Sequence, residues 1–111
     1  MAGAVFDFEE ARRLCGTENE IITRHCQLRL EKRGILIADV EYAIMNGEII
    51  EEYPDDYPFP SCLIFCALLE NRPLHVVCSV GGGCLYLITA YYPTREKFGL
   101  DYKTRQKEDA E

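Results

Sequence analysis

Ile44-Met45-Asn46-Gly47-Glu48-Ile49-Ile50-Glu51-Glu52-Tyr53 is where the chain changes its hydrophobic period, and that change decides the fold. Upstream, Ile37, Val40, Ala43 and Ile44 recur at helical spacing on one face. Ile35–Met45 therefore reads as a helix that Asn46-Gly47 ends. Downstream the period is two, and Glu48–Tyr53 reads as a strand.

Working toward the N-terminus, His25–Arg33 reads as a second helix, with Thr23 as its cap and Gly34 as its stop. Phe8–Cys15 reads as a third helix. Asp7 caps it, Glu10 sits at the third helical position of a capping box, Phe6 and Ala11 occupy staple positions, and Gly16 closes it. Thr17–Glu20 reads as a polar connection. Toward the C-terminus, Pro54-Asp55-Asp56-Tyr57-Pro58-Phe59-Pro60 fits no regular element. Ser61–Leu69 is apolar on both alternating faces, the mark of a central strand covered on two sides. Asn71-Arg72 predicts a tight turn into Pro73–Val80, and Gly81-Gly82-Gly83 turns the chain into Cys84–Tyr92. Pro93–Lys97 opens a final helical turn. The expected architecture is one α+β domain over residues 1–100, with N-terminal helices on a four-stranded antiparallel sheet. A charged, flexible tail is expected over 101–111.

The net charge is −7, a poor overall footprint for nucleic-acid binding. It is uneven, however. Residues 24–33 carry Arg24, Arg29, Lys32 and Arg33 against Glu31, a local +3 that leaves −10 for the rest. Glu48, Glu51, Glu52, Asp55 and Asp56 form an acidic stretch with no base among them. No apolar run approaches the roughly 18–20 residues that cross a bilayer, and no export signal opens the chain, so a cytoplasmic protein without membrane attachment is expected. The six cysteines include no C-x-x-C pair. Cys62, Cys66, Cys78 and Cys84 lie among aliphatic residues, so the expectation is reduced, buried thiols and no metal.

His25, Arg29 and Arg33 stand at i, i+4 and i+8, and each such step rotates a helix position by only about 40°, so they form one stripe. One imidazole and two guanidiniums can hold a phosphodiester and move a proton. The ordinary alternative is ion pairing of Arg29 and Arg33 with the acidic stretch, Asp55 and Asp56 included. Alternation in Leu74–Val80 puts His75, Val77 and Ser79 on the strand face that carries polar atoms. The ordinary alternative for His75 is a ring whose nitrogens are satisfied within the sheet. Gly81–Gly83 lacks the continuation of a phosphate loop, and no hydrolase, zincin or dinucleotide motif is present.

Taken together, Thr23, His25, Arg29, Arg33-Gly34-Ile35, Asn46–Asp56, Pro60–Leu63, Arg72–Val77 and Ile88-Thr89-x-Tyr91-x-Pro93 resemble, in this order, small prokaryotic proteins grouped as the domain of unknown function 4258 family. The resemblance covers residues 20–95. It departs at Cys26, where Ala is common, and at Leu36, where Ser or Thr usually caps a helix. It implies the fold of RelE, ParE and BrnT toxins, with helices on a curved antiparallel sheet. It also implies a toxin–antitoxin system toxin acting as a metal-independent endoribonuclease without cofactor, and a separate zinc-finger antitoxin of the YgiT type. On that reading His25 and His75 transfer protons, since an unperturbed imidazole near pKa 6.5 suits either role. Arg29 and Arg33 stabilise developing charge, and Arg24, Lys32 and Tyr92 contact RNA. A non-catalytic protein-interaction module on the same fold is the rival expectation, and a protein target, as for gyrase-directed ParE relatives, is a third. An open sheet edge points to a homodimer or an antitoxin strand as partner.

Overall fold

The computed structural model describes residues 5–105. In chain order the elements are α1 (Phe8–Leu14), β1 (Glu20–Ile22), α2 (Arg24–Arg33), α3 (Ile37–Asn46), β2 (Glu48–Tyr53), β3 (Ser61–Ala67), a 3-10 turn (Leu69–Asn71), β4 (Pro73–Gly81), β5 (Cys84–Tyr91) and α4 (Arg95–Phe98). The domain is α+β, and its sheet runs β1-β5-β4-β3-β2.

Local chemistry places the helices. The Asp7 carboxylate accepts the Glu10 amide at 3.0 Å as expected. The reciprocal half of the box is absent, because Glu10 instead accepts two hydrogen bonds from Arg13 at 2.9 and 2.6 Å. Phe6 and Ala11 are both buried in the core. Thr23 Oγ1 accepts from the Cys26 amide at 3.0 Å. At the other end of α2, Gly34 takes φ +67 and lets Ile35 donate back to the Leu30 carbonyl at 2.9 Å, the Schellman arrangement. The third helix begins two residues later than its periodicity predicts, since Leu36 takes an extended conformation and offers no cap. Gly47 ends it for reasons of space: a Cβ there would stand 2.5 Å from the Phe65 carbonyl oxygen. Arg12 of α1 donates to the Ile44 and Gly47 carbonyls at 2.9 Å each, satisfying acceptors at the end of α3.

The expected meander β2-β3-β4-β5 is present and antiparallel, but the sheet has five strands and is mixed. Glu20, expected to end a polar connection, and Ile21–Ile22, assigned to no element, form a strand that pairs in parallel with β5, Ile21 opposite Tyr86. Three residues are too few to carry a periodic signal, and the partner that makes them a strand lies far along the chain. The β3–β4 hairpin turns on Glu70 and Asn71, both left-handed (φ 63 and 59), one residue before the expected Asn71-Arg72.

Helices α1–α3 cover one sheet face. Cys62, Ile64 and Cys66 of β3, Leu74, Val76 and Cys78 of β4, and Leu85, Leu87 and Ala90 of β5 meet Leu14, Cys26, Leu30, Val40 and Ile44 there. Cys26, Cys62, Cys66 and Cys78 are thus core residues, and all six cysteines are free thiols. Leu63 and His75 point to the opposite face and are equally buried. Their cover is α4, with Phe98 only 2% exposed, and the segment after it. Of the expected tail, Asp101–Arg105 lie against this back face, and 106–111 fall outside the described residues. No helix among the described residues is long and apolar enough to cross a membrane.

The β1–α3 contact carries a titration. Glu41 of α3 hydrogen-bonds the Glu20 carboxyl, and this contact, with desolvation and the Glu20 charge, raises its pKa from 4.5 to about 7. Between those values the unfolded chain has released the proton while the folded chain still holds it, so stability falls as pH rises through the window. Glu41→Gln should therefore melt higher than the parent at about pH 8 and level with it at about pH 4, as read by thermal denaturation.

Candidate functional site

The basic stripe divides in the structure. Arg24, His25, Arg29 and Lys32 are exposed on the outer side of α2. Arg33 is half-buried, and its Nη1 donates to the Ala90 carbonyl at 2.8 Å and to Thr89 Oγ1 at 3.3 Å. Among the described residues β1 pairs with Leu85–Leu87 and no strand pairs the edge of β5 beyond Leu87, where Arg33 takes one of the carbonyls. Among the described residues neither Arg29 nor Arg33 pairs with a carboxylate. The acidic stretch is served by the C-terminal segment instead. Lys103 meets Glu48 at 2.8 Å, and Arg105 grips Glu51 with two bonds of 3.0 Å.

His75 lies on the back face of β4, while α2 packs on the front, so the two histidines stand on opposite sides of the sheet. The His75 ring is fully buried, edge-on to Phe98 at 4.4 Å and Tyr91 at 5.3 Å. Its Nε2 lies 2.7 Å from the Tyr102 carbonyl oxygen. A carbonyl only accepts, so Nε2 carries the proton and Nδ1 is left as an acceptor for the Tyr91 hydroxyl, 3.4 Å away. Burial lowers the His75 pKa from 6.5, against the opposing pull of the Tyr102 carbonyl and Glu51. Burial likewise raises the Tyr91 pKa, and Arg105 and Arg33 work against that rise. The Tyr91 hydroxyl is thus a proton donor set between an unprotonated imidazole nitrogen and two guanidiniums.

Beside it a cavity of about 340 Å³ is lined by Arg33, Lys97, Arg105, Tyr91, Tyr92 and Phe98. Of the residues expected from sequence, Arg33 and Tyr92 line this cavity, and His75 backs it through Tyr91. His25, Arg29, Arg24 and Lys32 lie along α2 outside it. Tyr92 is held from behind by the Arg72 guanidinium, 4.8 Å from its ring centre. Three participants escape sequence reasoning. Tyr91 matters only because the β4–β5 register sets it opposite His75. Lys97 and Arg105 belong to segments whose sequence shows no period. Glu51, with its Arg105 clamp and a 2.6 Å bond from Tyr53 Oη, anchors the far wall. Among the described residues no three His, Cys, Asp or Glu side chains converge to hold a metal ion.

Of the rings around His75, Phe98 packs closest, at 4.4 Å. Phe98→Ala should cost about 3–5 kcal/mol of stability. It should also admit water, so the His75 resonances, followed by NMR against pH, should move up toward the ordinary histidine range. In the parent the depressed pKa means stability is held above the unfolded value of 6.5 and lost as pH falls through the lower folded value.

No curated protein and no solved structure matches the chain. A family model does, over residues 22–92, from the β1 edge to the Tyr92 that lines the cavity. The chain belongs to the family described as Domain of unknown function (DUF4258).

Proposed function

We propose that the chain binds RNA at the Arg33–Tyr91–Arg105 cavity and cleaves its backbone without a metal ion. On this reading it is the cytoplasmic toxin of a toxin–antitoxin pair whose antitoxin is a separate chain. The observation that carries the reading is a Tyr91–His75 proton pair opening onto a cavity with three cations. Aromatic rings interleave those cations, which suits a strand whose phosphates and bases alternate.

In the proposed reaction a ribose 2′-oxygen attacks the adjacent phosphorus and the bond to O5′ breaks. A 2′,3′-cyclic phosphate and a free 5′-hydroxyl result. Tyr91 takes the 2′-proton as its own passes to His75 Nδ1. Arg33 and Arg105 meet the charge that grows on the phosphoryl oxygens, and Lys97 supplies the proton to O5′. His25 and Arg29, with Arg24 and Lys32, hold flanking phosphates along α2, because the sheet separates His25 from the reacting group.

A 2′-deoxy nucleotide at the scissile position should block cleavage, and EDTA should not. Tyr91→Phe and Arg33→Ala should each slow the reaction about 10²- to 10³-fold while leaving the fold intact by circular dichroism. Gel analysis of end-labelled RNA over a range of salt concentrations decides the matter. No cleavage at any salt concentration, with Arg33→Ala lowering only the melting temperature, would sink the nuclease reading.

A second reading, a non-catalytic interaction module, is favoured by the net charge of −7, by the placement of His25 and His75 on opposite sides of the sheet, and by the outer edge of β2, which among the described residues pairs only with β3. That edge offers backbone groups to an antitoxin strand or to a second copy of the chain.

A further inference from the structure

A second cavity, of about 290 Å³, opens at the other end of the same sheet face, near the lower end of the range of ligand sites. Ser79 lines it. Ser79 lies four steps along β4 from His75, about 13 Å at strand rise. One wall is aromatic: Phe59 and Tyr86 lie nearly parallel, 19° apart with centroids at 6.1 Å. Phe59 is seated by glycine. A Cβ at Gly81 would fall 2.1 Å from its ring, so only a bare backbone lets it lie flat on β4. Tyr57 stands at the rim, 94% exposed.

The polar groups are few and specific. Ser61, 1% exposed, donates its hydroxyl to Asp56 Oδ2, which fixes the carboxylate at the cavity and leaves Oδ1 to accept. Ser79 is 7% exposed, and its side chain lines the same cavity. Ser61 and Ser79 are cross-strand partners, so carboxylate and hydroxyl are neighbours. The cavity thus presents a flat aromatic surface, a carboxylate that accepts, and beside it a hydroxyl that donates. This set matches a nucleobase edge with an exocyclic amine next to a ring nitrogen acceptor, as in adenine and cytosine; uracil has no amine.

α2 ties this cavity to the cationic one. Thr23, its cap, lines the first, and Arg33, its last residue, lines the second. Ten helical residues span about 15 Å, and His25 and Arg29 lie exposed between the two ends.

We propose that the Phe59–Tyr86–Ser79–Asp56 cavity is a base-recognition subsite for adenine or cytosine of the RNA strand whose phosphate occupies the Arg33 cavity. This rests on the RNA reading above, yet its test is separate from cleavage. The whole chain, labelled with ¹⁵N, is titrated with 5′-AMP, 5′-CMP, 5′-UMP and ribose 5-phosphate. AMP and CMP should shift the Ser79, Gly81 and Tyr86 amides, and UMP should bind at least about tenfold more weakly, the cost of one lost hydrogen bond in a buried setting. Ser79→Ala should weaken AMP binding about 3- to 10-fold. Tyr86→Ala should weaken it about 5- to 150-fold through lost stacking. Equal response to UMP, or shifts confined to the Arg33 cavity with all four probes, overturns the proposal. AMP binding of this pattern in a chain that cuts no RNA keeps the subsite and discards the nuclease. Cleavage with no base-dependent shifts discards the subsite and keeps the nuclease.

Discussion

A sheet that is apolar on both faces must be roofed twice. β3 and β4 bury Cys62, Ile64, Leu74 and Val76 toward the helices and Leu63 and His75 away from them. Three helices cover the first face. The second is covered at one end by Phe59 and at the other by Phe98 and the residues that follow, which gives a short C-terminal segment the weight of a structural layer. Covering an imidazole with a benzene ring requires that its nitrogens be satisfied first, since an unpaired buried polar group costs about 1–3 kcal/mol. The Tyr102 carbonyl and the Tyr91 hydroxyl meet that need. The same contacts fix the tautomer, and so decide which nitrogen faces the cavity.

The second roof also redistributes charge. Glu48 and Glu51 take Lys103 and Arg105 as partners, so the acidic strand does not compete for the guanidiniums of α2. Arg33 spends its hydrogen bonds on neutral acceptors of β5. A guanidinium held by a carbonyl and a hydroxyl keeps its full charge. A basic site can therefore persist in a chain of net charge −7.

Much of this arrangement is legible in the sequence where a single residue or a regular period carries the information. The Asp7 and Thr23 caps, the Gly34 stop, the change of period at Gly47 and the Gly82-Gly83 turn are all of this kind. So is the two-sided burial of β3. What the sequence hides is pairing between distant segments. β1 is a strand only because β5 completes it, and Tyr91 joins His75 only through the β4–β5 register. The expected partnership of His25 with His75 is not assembled, because residue type and helical spacing say nothing about which side of a sheet a helix will cover. Arg105 sits in a stretch whose composition reads as solvent-facing, and its Glu51 partner lies 54 positions earlier.

The parallel pairing of β1 with β5 also sets the order in which the molecule comes into being. Ile21 waits for Tyr86, 65 positions later, and Cys26 and Leu30 wait for the Leu85–Ala90 surface that they cover. Contacts this distant close loops late and fold slowly. During synthesis the N-terminal helices therefore leave the ribosome with their apolar faces bare, open to chaperones or to any protein that offers a substitute strand. The cavity on the back face comes later still. Arg33 acquires its acceptors from residues 89 and 90, and His75 its carbonyl from residue 102. A nascent chain halted before that point carries every residue of the α2 stripe, while the site still lacks the Tyr102 carbonyl and Arg105.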